Sequence, residues 1–228
     1  MIGIIGAMGV EVAEVINRLD NKKDTTIGGV TYYTGTFCGK DVVVAKCGVG
    51  KVFSAICAQT MILSFPVERI INIGVGGSLA DSLDVCDVGV ADAVVQHDMD
   101  TTPLGEPLGF LSGIDMVEIP CDRDFADIIV ASANRLGINT LRGIIASGDC
   151  FVSGNDKKRS IVDSFGAIVC EMEGASIGQT CYVNSIPFNV IRAVSDKADG
   201  SADVSFETFL EKAVSQSIRL LEDVMGNI

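Results

Sequence analysis

Alternation limits the possible folds of this chain more than any other feature. Short runs rich in Val and Ile take turns with longer segments of helical spacing. The short runs lie at 2–6, 30–37, 41–47, 70–74, 88–96, 141–147, 167–170 and 188–194. The helical segments lie at 10–19, 51–63, 122–136, 156–165, 175–184 and 206–225, the last carrying Phe206, Phe209, Leu210, Ala213, Leu220 and Leu221 along one side. Strand–helix alternation requires right-handed crossovers and places a sheet between two helical layers. The expectation is a single three-layer α/β/α domain over residues 1–228, with a mixed, mainly parallel central sheet. The runs at 30–37 and 41–47 have no helix between them and predict an antiparallel addition to that sheet. The longest irregular stretch, 98–114, is rich in Pro, Gly and Leu and reads as a lid or interface loop.

Composition removes several classes of function. A hydrophobic share of 48% supports a large core. A net charge of −13 repels nucleic-acid backbones and anionic membrane surfaces, and suits an enzyme acting on a neutral or zwitterionic small molecule. The longest uncharged stretch, Val52 to Val67, has 16 residues, short of a membrane span, and predicts a buried core helix. The first residues form a strand with no basic region before it, so no signal peptide is expected. The eight cysteines form no C-x-x-C pair and His97 is the only histidine, so zinc spacing is absent and no metal is expected. Reduced, buried thiols in a cytoplasmic protein are the reading.

The chemistry sits at strand ends. Asp196 closes the run Phe188–Val194, Glu173 follows Ala167–Cys170, and Glu11 follows Ile2–Gly6. Open α/β sheets bind ligands at the carboxyl ends of their strands. Carboxylates converging there push one another's pKa values apart, which suits acid/base work. Each acid also has a plainer reading. Glu171 and Glu173 would share a face if the chain stayed extended, or would sit at a helix N-terminus. Asp196 could be an N-cap. Gly74-Val75-Gly76-Gly77-Ser78 allows close approach of a ligand to Gly76 and Gly77, or makes a tight turn.

Other motifs fail. The glycines at 3, 6 and 9 miss the dinucleotide spacing, and Gly48-Val49-Gly50-Lys51 lacks the rest of a P-loop. Gly174-Ala175-Ser176-Ile177-Gly178 matches G-x-S-x-G, but His97 precedes the serine, the wrong order for an α/β-hydrolase. Its small residues suit close packing of a helix on the sheet. His97-Asp98-Met99-Asp100 reads as a loop anchored by side-chain hydrogen bonds rather than a metal site.

Several segments, taken in order, resemble the bacterial methylthioadenosine/S-adenosylhomocysteine nucleosidases of the nucleoside phosphorylase superfamily. They are Gly3-Ile-Ile-Gly6-Ala-Met8 with Glu11-Val12, Gly48-Val49-Gly50-Lys51-Val52, Ile71-Asn72-Ile73-Gly74-x-Gly76-Gly77, and Ser147-Gly148-Asp149-x-Phe151. Glu171-Met172-Glu173, Arg192-Ala193-x-Ser195-Asp196 and Ser205-Phe206 complete the match. Val75 stands where that family usually has Ser, and Leu104 where an aromatic is common.

The resemblance implies hydrolysis of an adenine–ribose bond without metal or cofactor, in a homodimer whose 98–114 loop lies near the neighbouring subunit's site. It makes Asp196 the acid for the purine, Glu11 the residue that activates water, and Glu173 the holder of the ribose hydroxyls beside Met172. Phe151 would stack on adenine and the Val152 backbone would bond its edge. Met8, Val49 and Phe206 would line the alkylthio pocket. Glu171, Arg192 and Ser195 complete the binding set, the last two supporting the acids. A phosphate-dependent purine nucleoside phosphorylase, a futalosine-type hydrolase and a non-catalytic nucleoside-binding protein are the rival readings.

Overall fold

In the computed structural model, residues 1–200 and 202–228 are described, with side chains for all of these except 202–205. Ser205, part of the Ser-Phe pair above, therefore falls outside the described side chains.

Alternation along the strands divides the core in two. β1 (Ile2–Gly6) sends Ile4 to one face and Ile5 to the other. β4 (Lys40–Lys46) does the same with Val42 and Val44 against Val43 and Ala45, and β10 (Phe188–Asp196) with Ile191 and Ala193 against Val190 and Val194. Helices α1 (Gly9–Asn17), α3 (Arg123–Leu136) and α6 (Ala202–Gly226) cover the first face with Val12, Phe125 and Leu221. Helices α2 (Lys51–Ser64) and α5 (Gly174–Val183) cover the second with Cys57, Met61 and Ile177. α4 (Asn155–Phe165) closes a smaller third cluster through Ile161. This is the expected three-layer arrangement.

β5 (Arg69–Ser78) is the organising strand. It pairs parallel with β1 and with β10, and antiparallel with β9 (Val169–Glu171). β10 pairs with β6 (Val88–Gln96), β6 with β8 (Thr140–Ser147), and β8 with β9. These five strands thus close a ring at one end of the sheet. β7 (Ile119–Pro120) adds a short edge to β6. At the other end β4, β3 (Val30–Phe37) and β2 (Asp20–Ile27) form the antiparallel addition.

Several expectations are corrected. β2 was not foreseen, because its sequence DNKKDTTI carries no apolar alternation; an exposed edge strand needs none, and its lysines guard the edge. The strand expected to end at Gly74 runs on to Ser78, so the tight turn is replaced by extended backbone. α6 begins six residues after Asp196, which removes the N-cap reading of that acid. All eight cysteines are free, as expected, yet only Cys47, Cys57, Cys170 and Cys181 are buried, and Cys38 is exposed. α2 is buried on one side only; Val52, Phe53, Ile56 and Leu63 are exposed on the other. Among the described residues no helix is long and apolar enough to cross a membrane.

Candidate active site

The carboxyl ends of β1, β5, β9 and β10, with the segment after β8, surround a cavity of about 610 Å³. Met8, Glu11, Val49, Gly76, Gly77, Phe151, Val152, Glu171, Met172, Glu173, Ser195, Asp196 and Phe206 all line it. Arg192, grouped with them from the sequence, does not; it is 1% exposed behind the wall.

Glu11 lies in the first turn of α1, and its carboxylate folds back over the start of the helix. Oε2 accepts the N–H groups of Ala7 (2.7 Å) and Met8 (2.8 Å), and Oε1 accepts that of Val75 (3.1 Å). A carboxylate has about four acceptor sites, so one remains for a water. Burial raises the Glu11 pKa, opposed by the Arg192 charge and these three donors. Gly74 makes the placement possible: a Cβ there would stand 2.6 Å from Oε1.

Asp196 is held by its own neighbours. Ser195 Oγ donates to Oδ2 at 2.8 Å and the Ala198 N–H to Oδ1 at 2.8 Å. Ala198 itself adopts φ +51°, a conformation costly for a residue with a Cβ. Burial raises the Asp196 pKa against the pull of those two donors. Gly77 is the matching gap on β5, where a Cβ would lie 2.8 Å from Oδ1. At Gly76 a Cβ would meet Val169 Cγ1 at 2.7 Å. The glycines after Gly74 therefore admit side chains from neighbouring strands.

The two glutamates around Met172 part company, contrary to the extended-chain expectation. The chain turns there into α5, with Glu173 at the N-cap position. Glu171 points to Arg192, with which it forms a buried ion pair, and accepts Ser147 Oγ and the N–H groups of Glu173 (3.0 Å) and Gly174 (2.8 Å). It is the helix-terminus carboxylate of the plainer reading. Glu173 faces the cavity, accepts the Gly50 N–H at 2.9 Å, and lies 3.9 Å from Arg192. Burial, then the charge of Glu171, push its pKa up to about 7.

Arg192 is fixed by Asn72, whose Oδ1 and backbone carbonyl accept from it at 2.5 and 3.3 Å. Burial opposes its charge, but Glu171, Glu173 and Glu11 outweigh that and raise its pKa. One guanidinium thus offsets three buried carboxylates.

The opposite wall is apolar. The Phe151 and Phe206 rings meet edge-on with centroids 5.6 Å apart, beside Met8 and Val49. Sequence reasoning missed Ala7, Cys150, Ser153, Cys170 and Glu207, which also line the cavity. Each stands within one residue of a chosen position, and that adjacency was the available signal. Val75, noted as a departure, is a buried wall residue.

The remaining motifs resolve as packing. Ser176 bonds Ser54 Oγ at 2.6 Å, and a Cβ at Gly178 would stand 2.7 Å from the Phe188 ring, so α5 needs its small residues to lie close. Asp98 bonds Lys51 and the Asp149 N–H, which anchors its loop. Among the described residues no group of three His, Cys, Asp or Glu could hold a metal ion.

This geometry suits protonation of a leaving group near Asp196 and activation of water near Glu11. Their glycine gaps are three residues apart on β5, roughly 10 Å of strand, which leaves room for a sugar between them.

Comparison with known proteins converges on one family. The phosphorylase superfamily model matches residues 1–225. A 5′-methylthioadenosine/S-adenosylhomocysteine nucleosidase of Staphylococcus aureus is 37% identical over 229 residues, covering 100% of both chains. The crystal structure of a nucleosidase of the same name from Neisseria meningitidis, in complex with methylthio-immucillin-A, superposes with a TM-score of 0.96 at 32% identity, covering 100% of this chain and 99% of that one. The native futalosine hydrolase of Helicobacter pylori superposes with a TM-score of 0.94 at 35% identity, covering 100% and 97%.

Proposed function

We propose, for a chain that belongs to the phosphorylase superfamily and within it to the methylthioadenosine/S-adenosylhomocysteine nucleosidases, hydrolysis of the N-glycosidic bond of those two nucleoside thioethers. The products are adenine and the thioribose. The observation that carries the reading is one cavity with Asp196 and Glu11 in separate glycine gaps of β5, in a chain alike to such nucleosidases over its full length.

Adenine is a poor leaving group until its ring is protonated. Asp196, its pKa raised by burial and its donors neutral, is suited to giving that proton. As the bond breaks, positive charge grows on the sugar, as in glycoside hydrolysis. Glu173 would hold the ribose hydroxyls and face that charge. Glu11 would take a proton from the attacking water through its remaining acceptor site. Phe151 offers adenine a face, Val152 a backbone edge, and Met8, Val49 and Phe206 an apolar seat for the thioether. Glu171, at the cavity wall, and Arg192, behind it, serve as charge and scaffold.

The cavity is poorly suited to phosphate. Among the described residues its lining holds no Lys or Arg, and Glu11 would repel an anion. Residues 1–228 act as one nucleosidase domain, in the cytoplasm and as a homodimer. Support for pairing comes from the exposed Val52, Phe53, Ile56 and Leu63 of α2 with Tyr182 and Val183 of α5, and from Leu104 at 82% exposure in the 98–114 segment. Sedimentation of the purified protein as a monomer would remove that part.

The activity is tested by following adenine release from methylthioadenosine and S-adenosylhomocysteine in phosphate-free buffer, with futalosine in parallel. Release of adenine from both thioethers is expected. Strict dependence on phosphate, binding without turnover, or preference for futalosine each overturns the reading in a different direction.

A further inference from the structure

The segment 148–153 carries Phe151 and Val152 to the cavity, yet it has no regular structure of its own. Its fixation comes from two distant elements. Asp149 sends its carboxylate to the N-terminus of α2, where Oδ1 accepts the Lys51 N–H at 2.8 Å. The N-cap of that helix is Gly50, at φ +101° and with no side chain to cap anything. Asp149 therefore acts as a cap supplied from elsewhere in the chain, satisfying an N–H that the helix leaves unpaired. A Cβ on Gly50 would stand 3.0 Å from Asp149 Oδ1, so the glycine also makes room for the cap.

Asp98 closes the arrangement. Its Oδ2 accepts the Asp149 N–H at 2.9 Å and its Oδ1 accepts Lys51 Nζ at 2.6 Å. Lys51 Nζ also donates to Gln96 Oε1 at 3.2 Å. Under the segment, the His97 ring lies against Gly148, where a Cβ would be 2.4 Å from it. One residue before Lys51, the Gly50 N–H holds Glu173. Consecutive N–H groups at the start of α2 thus grip the sugar-side carboxylate and the base-side segment.

We propose that Asp98, which does not line the cavity, is a positioning residue that sets the nucleobase segment in register with the sugar site through Asp149 and the N-terminus of α2. This rests on the nucleosidase reading. The clamp acts on the base half of the site, while Glu173 keeps its own donor. Loss of the clamp therefore weakens adenine more than the sugar.

The test measures product inhibition by adenine and by 5-methylthioribose separately, in the wild type, Asp98→Ala and Lys51→Met. Removing the two Asp98 bonds is expected to raise the adenine inhibition constant about tenfold, the scale of one to two net hydrogen bonds. The thioribose constant should stay within about twofold, since its contacts are untouched. Lys51→Met, which removes one arm and keeps the backbone N–H, should shift adenine about threefold in the same direction. Equal weakening of both products means general loosening and overturns the proposal, as does an unchanged adenine constant in both variants. Adenine affinity is also readable by calorimetry, so a wild type that binds adenine but hydrolyses neither thioether defeats the function and leaves the clamp open to the same measurement.

Discussion

Two acids of one cavity are kept in different electrical company. Glu11 shares the reach of Arg192 with Glu171 and Glu173, and takes three backbone donors besides. Asp196 has a hydroxyl and one N–H, both from its immediate neighbours in sequence, and Lys158 pulls on it less than either. Both are buried and both have raised pKa values. The end with a cation can keep a base ionised while substrate is bound. The end where a lysine pulls only weakly favours a protonated acid. In the proposed reaction, the difference between proton giver and proton taker would thus lie in the groups behind each carboxylate, since the carboxylates themselves are alike.

The comparison breaks first at Asp196. Asp196→Asn keeps the shape and removes the proton, so kcat should fall about 10³–10⁴-fold with KM within a few-fold. A variant that keeps most of its kcat removes Asp196 from the acid role. Glu11→Gln keeps an oxygen acceptor but loses the base, and a fall in kcat of about 10²–10³-fold is expected. The limbs of the kcat/KM profile sharpen the contrast. Activity should decline on the alkaline side as Asp196 loses its proton, and Asp196→Asn should abolish that limb.

Arg192→Met leaves Glu171 and its neighbours buried with less counter-charge, and should destabilise the fold by about 3 kcal/mol, seen in urea unfolding. An unchanged midpoint would show that the three carboxylates do not depend on it. The smallest effect concerns Glu173. Its folded pKa of about 7 exceeds the ~4.3 of a free glutamate. The folded state therefore favours its protonated form. That stabilisation is complete below about pH 4 and is lost as pH rises through about 7. The wild type should lose more Tm between pH 5 and 8 than Glu173→Gln, with the variant higher by about 2–6 °C at pH 8. Parallel curves would place the titration elsewhere.

Much of this was legible in the sequence because period and chemistry coincide. Buried parallel strands announce themselves by Val and Ile, and each ends where a ligand can be met, so Glu11, Glu173 and Asp196 could be chosen from position alone. Four things were hidden. β2 is polar on every side, so the apolar pattern that reveals a strand is missing. Gly74 to Ser78 looked like a turn because glycines are read as freedom, whereas here they are vacancies filled by side chains from far along the chain. The separate roles of Glu171 and Glu173 depend on where the chain leaves β9, a boundary no spacing rule locates to one residue. Arg192 was named as a support, but its seclusion behind the wall follows from Asn72 and Glu171, a partnership visible only in three dimensions.

The vacancies at Gly74 and Gly77 have a hereditary consequence. Each glycine and the acid that occupies its space form a single inherited unit, although 63 positions separate one pair and 119 the other. An alanine at Gly74 would be tolerated only beside a shorter acid at position 11, and a library that varies both should recover Ala with Asp but not Ala with Glu. The lineages open to this chain are therefore narrower than its count of active-site residues implies, because its silent positions are spoken for by its reactive ones.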